Sequence, residues 1–440
     1  MKRILGSLFI CLCLAGTSAQ VKTLTLDECV QIAIENNPQL MQTGFMLKIA
    51  GRDMLSSVSR FLPSASADVG YSHSVVGPSS KLRIDSRTGI PVPMQPDEIV
   101  SFTSRASMSV SQQIFNGSDI FGLWRATSLK KGAQYDFERT KQDVIYRVKE
   151  RYYNLLKAQK LLEVQEETIK SSEESHKRAE VSFEVGKVPK SDVLKAKVLL
   201  EQSRLGLIEA QNTLSVARAS LNHVLGFDVD TEIQIVDNID MPEQEVDYQN
   251  AFDSGMTLNP GLRKGIMDVK AAKASIGSAA SQFLPTVSAY GGYTWRNERF
   301  NRIKNMFDKD YNWNAGVSLS VPLFTGFTRL IDVSKAQLGY RADQEALEQT
   351  RKDVALEVKQ SYFAVEQAKK KISVTQDAEA AADEDLRLNK EKYNLGSSTI
   401  LDLINAQVSY TQARSDRIQA LYDYKINMAR LLRAMGKLEK

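Results

Sequence analysis

Two hydrophobic periods replace one another along this chain, and the same replacement happens twice. From Thr23 to Leu40 the apolar positions Val30, Ile32, Ala33 and Ile34 recur at roughly helical spacing, with Asp27 and Glu28 in a first turn where carboxylates complement the helix dipole. This predicts a helix reaching about Arg60, kinked at Pro38, which has no N–H to give. The period then drops to two. Ala65, Ala67, Val69, Tyr71 and Val75 alternate with Ser64, Ser66, Asp68, Ser72 and Ser74, predicting a strand over 64–75 with one apolar and one polar face. The alternation returns over 101–115 (Phe102, Ala106, Met108, Val110, Ile114), over 286–295 (Val287, Ala289, Tyr293, Trp295) and over 311–324 (Trp313, Ala315, Val317, Leu319, Val321, Leu323). Each segment is close to the ~9–11 residues that a tilted strand needs to cross a bilayer. Tyr71, Phe102, Tyr293, Trp295, Tyr311 and Trp313 gather towards the loop ends, where an aromatic girdle would lie.

A helical period follows each strand pair. Residues 118–185 and 327–395 contain no proline, and glycine only at Gly122, Gly132 and Gly339. At 1.5 Å per residue, such a run makes a rod of roughly 100 Å, which must pack in an extended bundle. Val185-Gly186-Lys187 and Leu395-Gly396-Ser397 then place a glycine where a helix end takes the left-handed conformation. Returning helices open at Ser191-Asp192 and Leu401-Asp402 and run to Gly226 and Gly436.

These matches make the chain a duplication. Phe61-Leu62-Pro63 returns 222 positions later as Phe283-Leu284-Pro285, Asn37-Pro38 returns as Asn259-Pro260, and Gly186 and Gly226 return 210 positions later as Gly396 and Gly436. The missing twelve residues fall in the loop between the strands. That loop, 76–100, carries Pro78, Pro91, Pro93 and Pro96 and reads as long and irregular, whereas 296–310 is its short counterpart. The expected organisation is a first repeat over 20–226 with its tip at 185–191, an inter-repeat segment over 227–245, and a second repeat over 246–440 with its tip at 395–401. Glu232–Val236 alternates and predicts a small strand on the outside of the bundle.

Composition narrows the class. Lys2 and Arg3, the apolar run Ile4–Ala15 and Thr17-Ser18-Ala19 form a secretory signal peptide over 1–19, too short to span a membrane. Its removal takes Lys2 and Arg3 from the net +4, leaving +2, no basis for binding nucleic acid. Cys29 alone of the three cysteines survives processing, so no intramolecular disulfide is possible. No other segment is apolar for long enough to be a membrane helix, so entry into a membrane must be by β-strands. His73, His176 and His223 lack metal-ligand spacing, Gly186-Lys187 lacks the preceding glycine of a phosphate loop, and no nucleophile elbow occurs. No catalytic, cofactor or metal site is expected. Acids cluster at Glu163, Glu166, Glu167, Glu173 and Glu174, and at Asp377, Glu379, Asp383, Glu384 and Asp385; they are either a solvated face with partners such as Lys170 or an acidic lining to a passage.

The fold class that emerges is an α+β membrane protein with internally duplicated helical hairpins and four transmembrane strands per chain. Four strands cannot close a barrel and eight leave an interior filled by side chains, so twelve strands, from a trimer, are the smallest set with a channel. An exit duct competes with a trimeric structural or adhesive stalk. A periplasmic adaptor should have one hairpin and no membrane-type strands.

Taken together, Thr25-Leu26-Asp27-Glu28-Cys29 with Asn37-Pro38, the doubled Phe-Leu-Pro, Val321-Pro322-Leu323-Phe324-Thr325-Gly326 and the doubled glycine turns resemble the TolC-like outer membrane efflux protein family over essentially the whole mature chain. The resemblance implies a homotrimer with one barrel in the outer membrane above a helical periplasmic tunnel. It also implies partners: outer-membrane lipid, a periplasmic adaptor and an inner-membrane transporter. By the same resemblance, Val185, Gly186, Lys187, Leu395, Gly396 and Ser397 form the adaptor-docking tip. Asp402, Asn405, Asp192 and Tyr393 match the pore constriction, with Asn405 in place of the family's second aspartate and Ser398 in place of the arginine that helps lock the closed state; the alternative for Asp402 is that it only caps the returning helix.

Overall fold

The computed structural model describes residues 22–77, 81–94, 99–237 and 246–438. The expected signal peptide, 1–19, lies outside them, as does 238–245 of the expected inter-repeat segment. The elements in chain order are β1 (Lys22–Leu24), α1 (Leu26–Asn36), α2 (Pro38–Ser59), β2 (Ser64–Val76), β3 (Lys81–Ile84), β4 (Pro91–Met94), β5 (Ile99–Phe115), α3 (Gly117–Glu184), α4 (Lys190–Leu225), β6 (Ile233–Ile235), α5 (Tyr248–Leu258), α6 (Pro260–Ser281), β7 (Thr286–Asn297), β8 (Tyr311–Ser320), α7 (Thr328–Asn394) and α8 (Ile400–Ala434). A 3₁₀ turn, Phe300–Asn305, separates β7 from β8.

The chain forms two compact units, and neither is a repeat. Among the described residues, one takes 22–45, 135–237, 246–263 and 349–438, the other 46–77, 81–94, 99–134 and 264–348, so each draws on both copies.

In the first unit, the core is built twice over. α1 contributes Cys29, Val30 and Ala33 to a cluster with Val144, Val148 and Leu155 of α3 and Leu221 and Leu225 of α4. α5 sets Ala251 among Val354, Val358, Leu431 and Ala434 of α7 and α8. Cys29 and Ala251 are 222 positions apart and both fully buried, so the thiol fills a small apolar slot. The predicted kink at Pro38 is a complete break. Asn37 is extended, and its Oδ1 accepts from the N–H groups of Gln39 (3.0 Å) and Leu40 (3.3 Å) while its Nδ2 donates to Val224 O (3.2 Å). Asn259 does the same with Gly261 (2.9 Å), Leu262 (3.2 Å) and Ala434 O (3.1 Å). Each asparagine caps one helix and ties it to the end of another. The small strand β6 pairs in parallel with β1 at the start of the described chain.

The second unit holds one antiparallel sheet in the order β2-β5-β7-β8. Its register aligns the two faces across all four strands. Ala67, Met108, Tyr293 and Trp313 form one row, and Ser66, Ser109, Gly292 and Asn314 form a row on the opposite face. A bulge between Gln113 and Phe115 lets β5 change register at its end. Two expectations are corrected here. The last strand stops at Ser320 rather than 324, because Pro322 has no N–H for a ladder. The 76–100 loop is not irregular throughout: β3 and β4 make a hairpin in which Pro91 and Pro93 sit opposite Ile84 and Leu82. A two-stranded ribbon has only edge strands, where proline is tolerated.

Candidate functional site

The two hairpin tips lie side by side in the first unit and share a cleft of about 900 Å³. Each long helix ends in the same hydrogen-bonded turn. Gly186 takes φ +74° while its N–H reaches Phe183 O (2.9 Å) and the Lys187 N–H reaches Ser182 O (2.8 Å); Gly396 takes φ +75° with Tyr393 O (3.0 Å) and Lys392 O (2.9 Å) as acceptors. This is the Schellman arrangement, which satisfies carbonyls that a helix end leaves without partners. Nothing lies within 4 Å of where a Cβ would sit at either glycine, so the left-handed backbone alone demands the residue.

Of the residues expected at the docking tip, Val185 and Leu395 stand out in solvent, Leu395 at 83% exposure. Lys187 is exposed beside the first, and Ser397 Oγ donates to Lys392 O at 3.1 Å beside the second. An apolar side chain held out on a rigid turn, in duplicate, is a surface suited to a partner.

The four residues expected at the constriction separate into two pairs. Asp192 and Tyr393 line the cleft together with Arg178. The Tyr393 hydroxyl is buried without a hydrogen-bond partner, and burial, reinforced by the Asp192 carboxylate, raises its pKa above the usual phenol value while Arg178 opposes the shift. Lys195 is the ion-pair partner of Asp192, at 3.5 Å. Asp402 and Asn405 lie instead on the exposed side of α8, opposite a buried face made by Ile400, Leu403, Ala406 and Gln407.

Asp402 is engaged in a capping box. Its backbone N–H donates to Thr399 Oγ1 (3.2 Å), and its Oδ2 accepts from Thr399 N (3.0 Å), Thr399 Oγ1 (2.6 Å) and Ser398 Oγ (3.3 Å). Those donors, with the Thr399 hydroxyl foremost, hold the carboxyl below the usual aspartate range. Ser398 thus joins the cap. Sequence reading passed over Thr399, although Thr399-Ile400-Leu401-Asp402 carries the spacing of a capping box. It also passed over Arg178, which no motif marks.

Polar staples hold the tips' helices together farther up. The hydroxyls of Ser172 and Ser203 meet at 2.8 Å inside the first hairpin. Thr168 and Thr411 meet at 3.2 Å, and Arg414 pairs with Glu167, between α3 and α8. Arg417 binds Glu379 at 2.6 Å between α8 and α7. Two members of the acidic clusters are therefore ion-paired between helices.

The model of the family described as outer membrane efflux protein matches residues 29–227 and 256–437, taking in both hairpins and all four strands of the sheet. The chain belongs to the outer membrane efflux protein family. As a member it is an outer-membrane duct for efflux or secretion, in a family of channels rather than enzymes. The outer membrane protein TolC of Vibrio cholerae is 24% identical over 443 residues, covering 100% of this chain and 97% of that protein. The alkaline protease secretion protein AprF of Pseudomonas aeruginosa is 23% identical over 76% of this chain and 70% of its own length. Among solved structures, the CmeC outer membrane channel of Campylobacter jejuni superposes with a TM-score of 0.81 at 18% identity, over 94% of this chain and 86% of that one.

Proposed function

We propose that three copies of this chain close a twelve-stranded barrel and conduct substrates passively from an inner-membrane transporter, through a periplasmic adaptor, to the outside. The observation that carries the reading is the sheet. β2 is exposed along all thirteen residues, and Trp313 (69%), Val317 (70%) and Leu319 (64%) of β8 stand open on the apolar face. Ser104, Ala106 and Trp295 at the loop end of the apolar face are buried, so Trp295 is no girdle residue, and the face is open along β2 and β8. A sheet with a largely open apolar face, one serine-rich face and, among the described residues, two unpaired edges needs lipid on one side, water on the other and a neighbour at each edge. Because the strands alternate in direction, β8 of one copy runs antiparallel to β2 of the next, as closure requires.

The remaining assignments extend the family resemblance to single residues, supported by the exposed apolar side chains at the two tips and by the cleft that Asp192 and Tyr393 share. Val185, Gly186, Lys187, Leu395, Gly396 and Ser397 dock the adaptor. Asp402, Asn405, Asp192 and Tyr393 line the constriction. The test is extraction and mass: the protein should leave the membrane fraction only with detergent and run as a trimer. A monodisperse monomer in detergent-free buffer overturns the barrel.

A further inference from the structure

The serine-rich face of the sheet carries an arrangement that sheet packing alone disfavours. Arg105 of β5 and Arg296 of β7 are register partners, directly opposite one another, and both are exposed. Like charges in that position destabilise a sheet. Neither arginine is in an ion pair among the described residues. On the other side of Arg105 the register partner is Gly70, which offers no side chain at all. The other charged side chain on this face within the strands is Asp68, one row further from the loops and opposite Ser107. In the adjoining loop, the Asp310 carboxylate is occupied by the Asn297 amide at 2.6 Å.

Arg296 lies next to Asn297, where β7 ends at the 298–310 loop, and Arg105 lies in the loop-side half of β5, six residues in from Ile99; both are on the side of the sheet away from the ends that lead into helices α3 and α7. We infer that Arg105 and Arg296 form an anion-attracting ring at the loop-side mouth of the duct. The inference rests on the trimeric barrel proposed above, in which the serine-rich face lines the lumen. Three copies would set six guanidinium groups around one opening, against three Asp68 carboxylates one row below. Unpaired cations fixed around a narrow aqueous passage raise the local concentration of anions, most of all multivalent ones. A planar guanidinium fork is suited to phosphate oxygens. The ligand class is therefore multivalent, phosphate-bearing anions entering or leaving at the outer mouth.

The test uses the full-length protein in planar bilayers, with tripolyphosphate as the probe. Wild type should be blocked by tripolyphosphate from one side only. The Arg105→Gln/Arg296→Gln pair should need at least about tenfold more for the same block, and its potassium-to-chloride permeability ratio should rise as Asp68 becomes the dominant charge. The Arg105→Lys/Arg296→Lys pair should keep the block. If the Gln pair forms no pores, Arg296→Gln alone is read in the same way. Open pores with unchanged block and unchanged permeability ratio overturn the ring and leave the duct standing. Absence of pores in wild type removes the duct itself.

Discussion

Thr399 and Asp402 lock each other at the start of α8: the threonine hydroxyl donates to the carboxylate at 2.6 Å and accepts from the aspartate's own N–H at 3.2 Å. Because these bonds favour the ionised carboxyl, its pKa in the folded protein lies below the ordinary 3.8. A depressed folded pKa means that the cap contributes fully above the unfolded value and is lost as pH falls through the folded one. Amide protection in the first turn of α8 should thus be constant from neutral pH down to the ordinary aspartate range and fall below it. In Asp402→Asn it should be lower and flat. Hydrogen exchange followed by mass spectrometry reads both; a surviving acid transition in the variant would assign it to another group.

The same carboxylate can be tested as part of the constriction without confusing the two roles. Thr399→Ala breaks the cap and keeps the charge, whereas Asp402→Asn removes the charge. In planar bilayers Asp402→Asn should lose cation preference and sensitivity to trivalent cations, and Thr399→Ala should keep both. If the two variants behave alike, the carboxylate acts only as a cap.

The glycines separate docking from folding. At Gly186 and Gly396 a side chain meets open space, so Gly→Ala costs about 1–2 kcal/mol for the left-handed backbone and little else. At Gly436, φ is +71° and a Cβ would fall 2.7 Å from the Leu258 carbonyl carbon and oxygen. Gly436→Ala should therefore cut the yield of folded protein. Gly186→Trp and Gly396→Trp should abolish transport with the trimer yield unchanged, by detergent-resistant gel mobility against an efflux assay. Unaltered efflux in the double tryptophan variant would remove the tips from the docking surface.

Asn37 and Asn259 offer a paired measurement. Each holds three hydrogen bonds at a buried helix junction, so Asn→Ala should cost roughly 2–3 kcal/mol at either site. The two variants should lower the thermal midpoint by similar amounts, since their hydrogen-bond sets are the same. A large disparity would show that one junction is stabilised chiefly by its surroundings.

Much of the fold was legible because its signals are local. The period-two runs, the Asn-Pro dipeptides and the tip glycines each reflect a conformation set within a few residues. What escaped depends on pairing across the chain. Pro91 and Pro93 argue against a strand until a two-stranded ribbon gives them edges. The opposition of Arg105 and Arg296 appears only once the register of β5 and β7 is known. At the site, Asp192 and Tyr393 line one cleft through the packing of two hairpins, whereas the cap open to Asp402 in the sequence needed a partner, Thr399, three residues away.

Because each compact unit interleaves segments of both repeats, a half-length chain ending near Gly226 would hold only part of either unit. In the barrel proposed above, a chain of that length would have to be present in six copies to supply the twelve strands that three copies of the doubled chain supply. The doubled chain also carries a lysine after Gly186 and a serine after Gly396, an asymmetry that a sixfold ring of identical subunits could not hold.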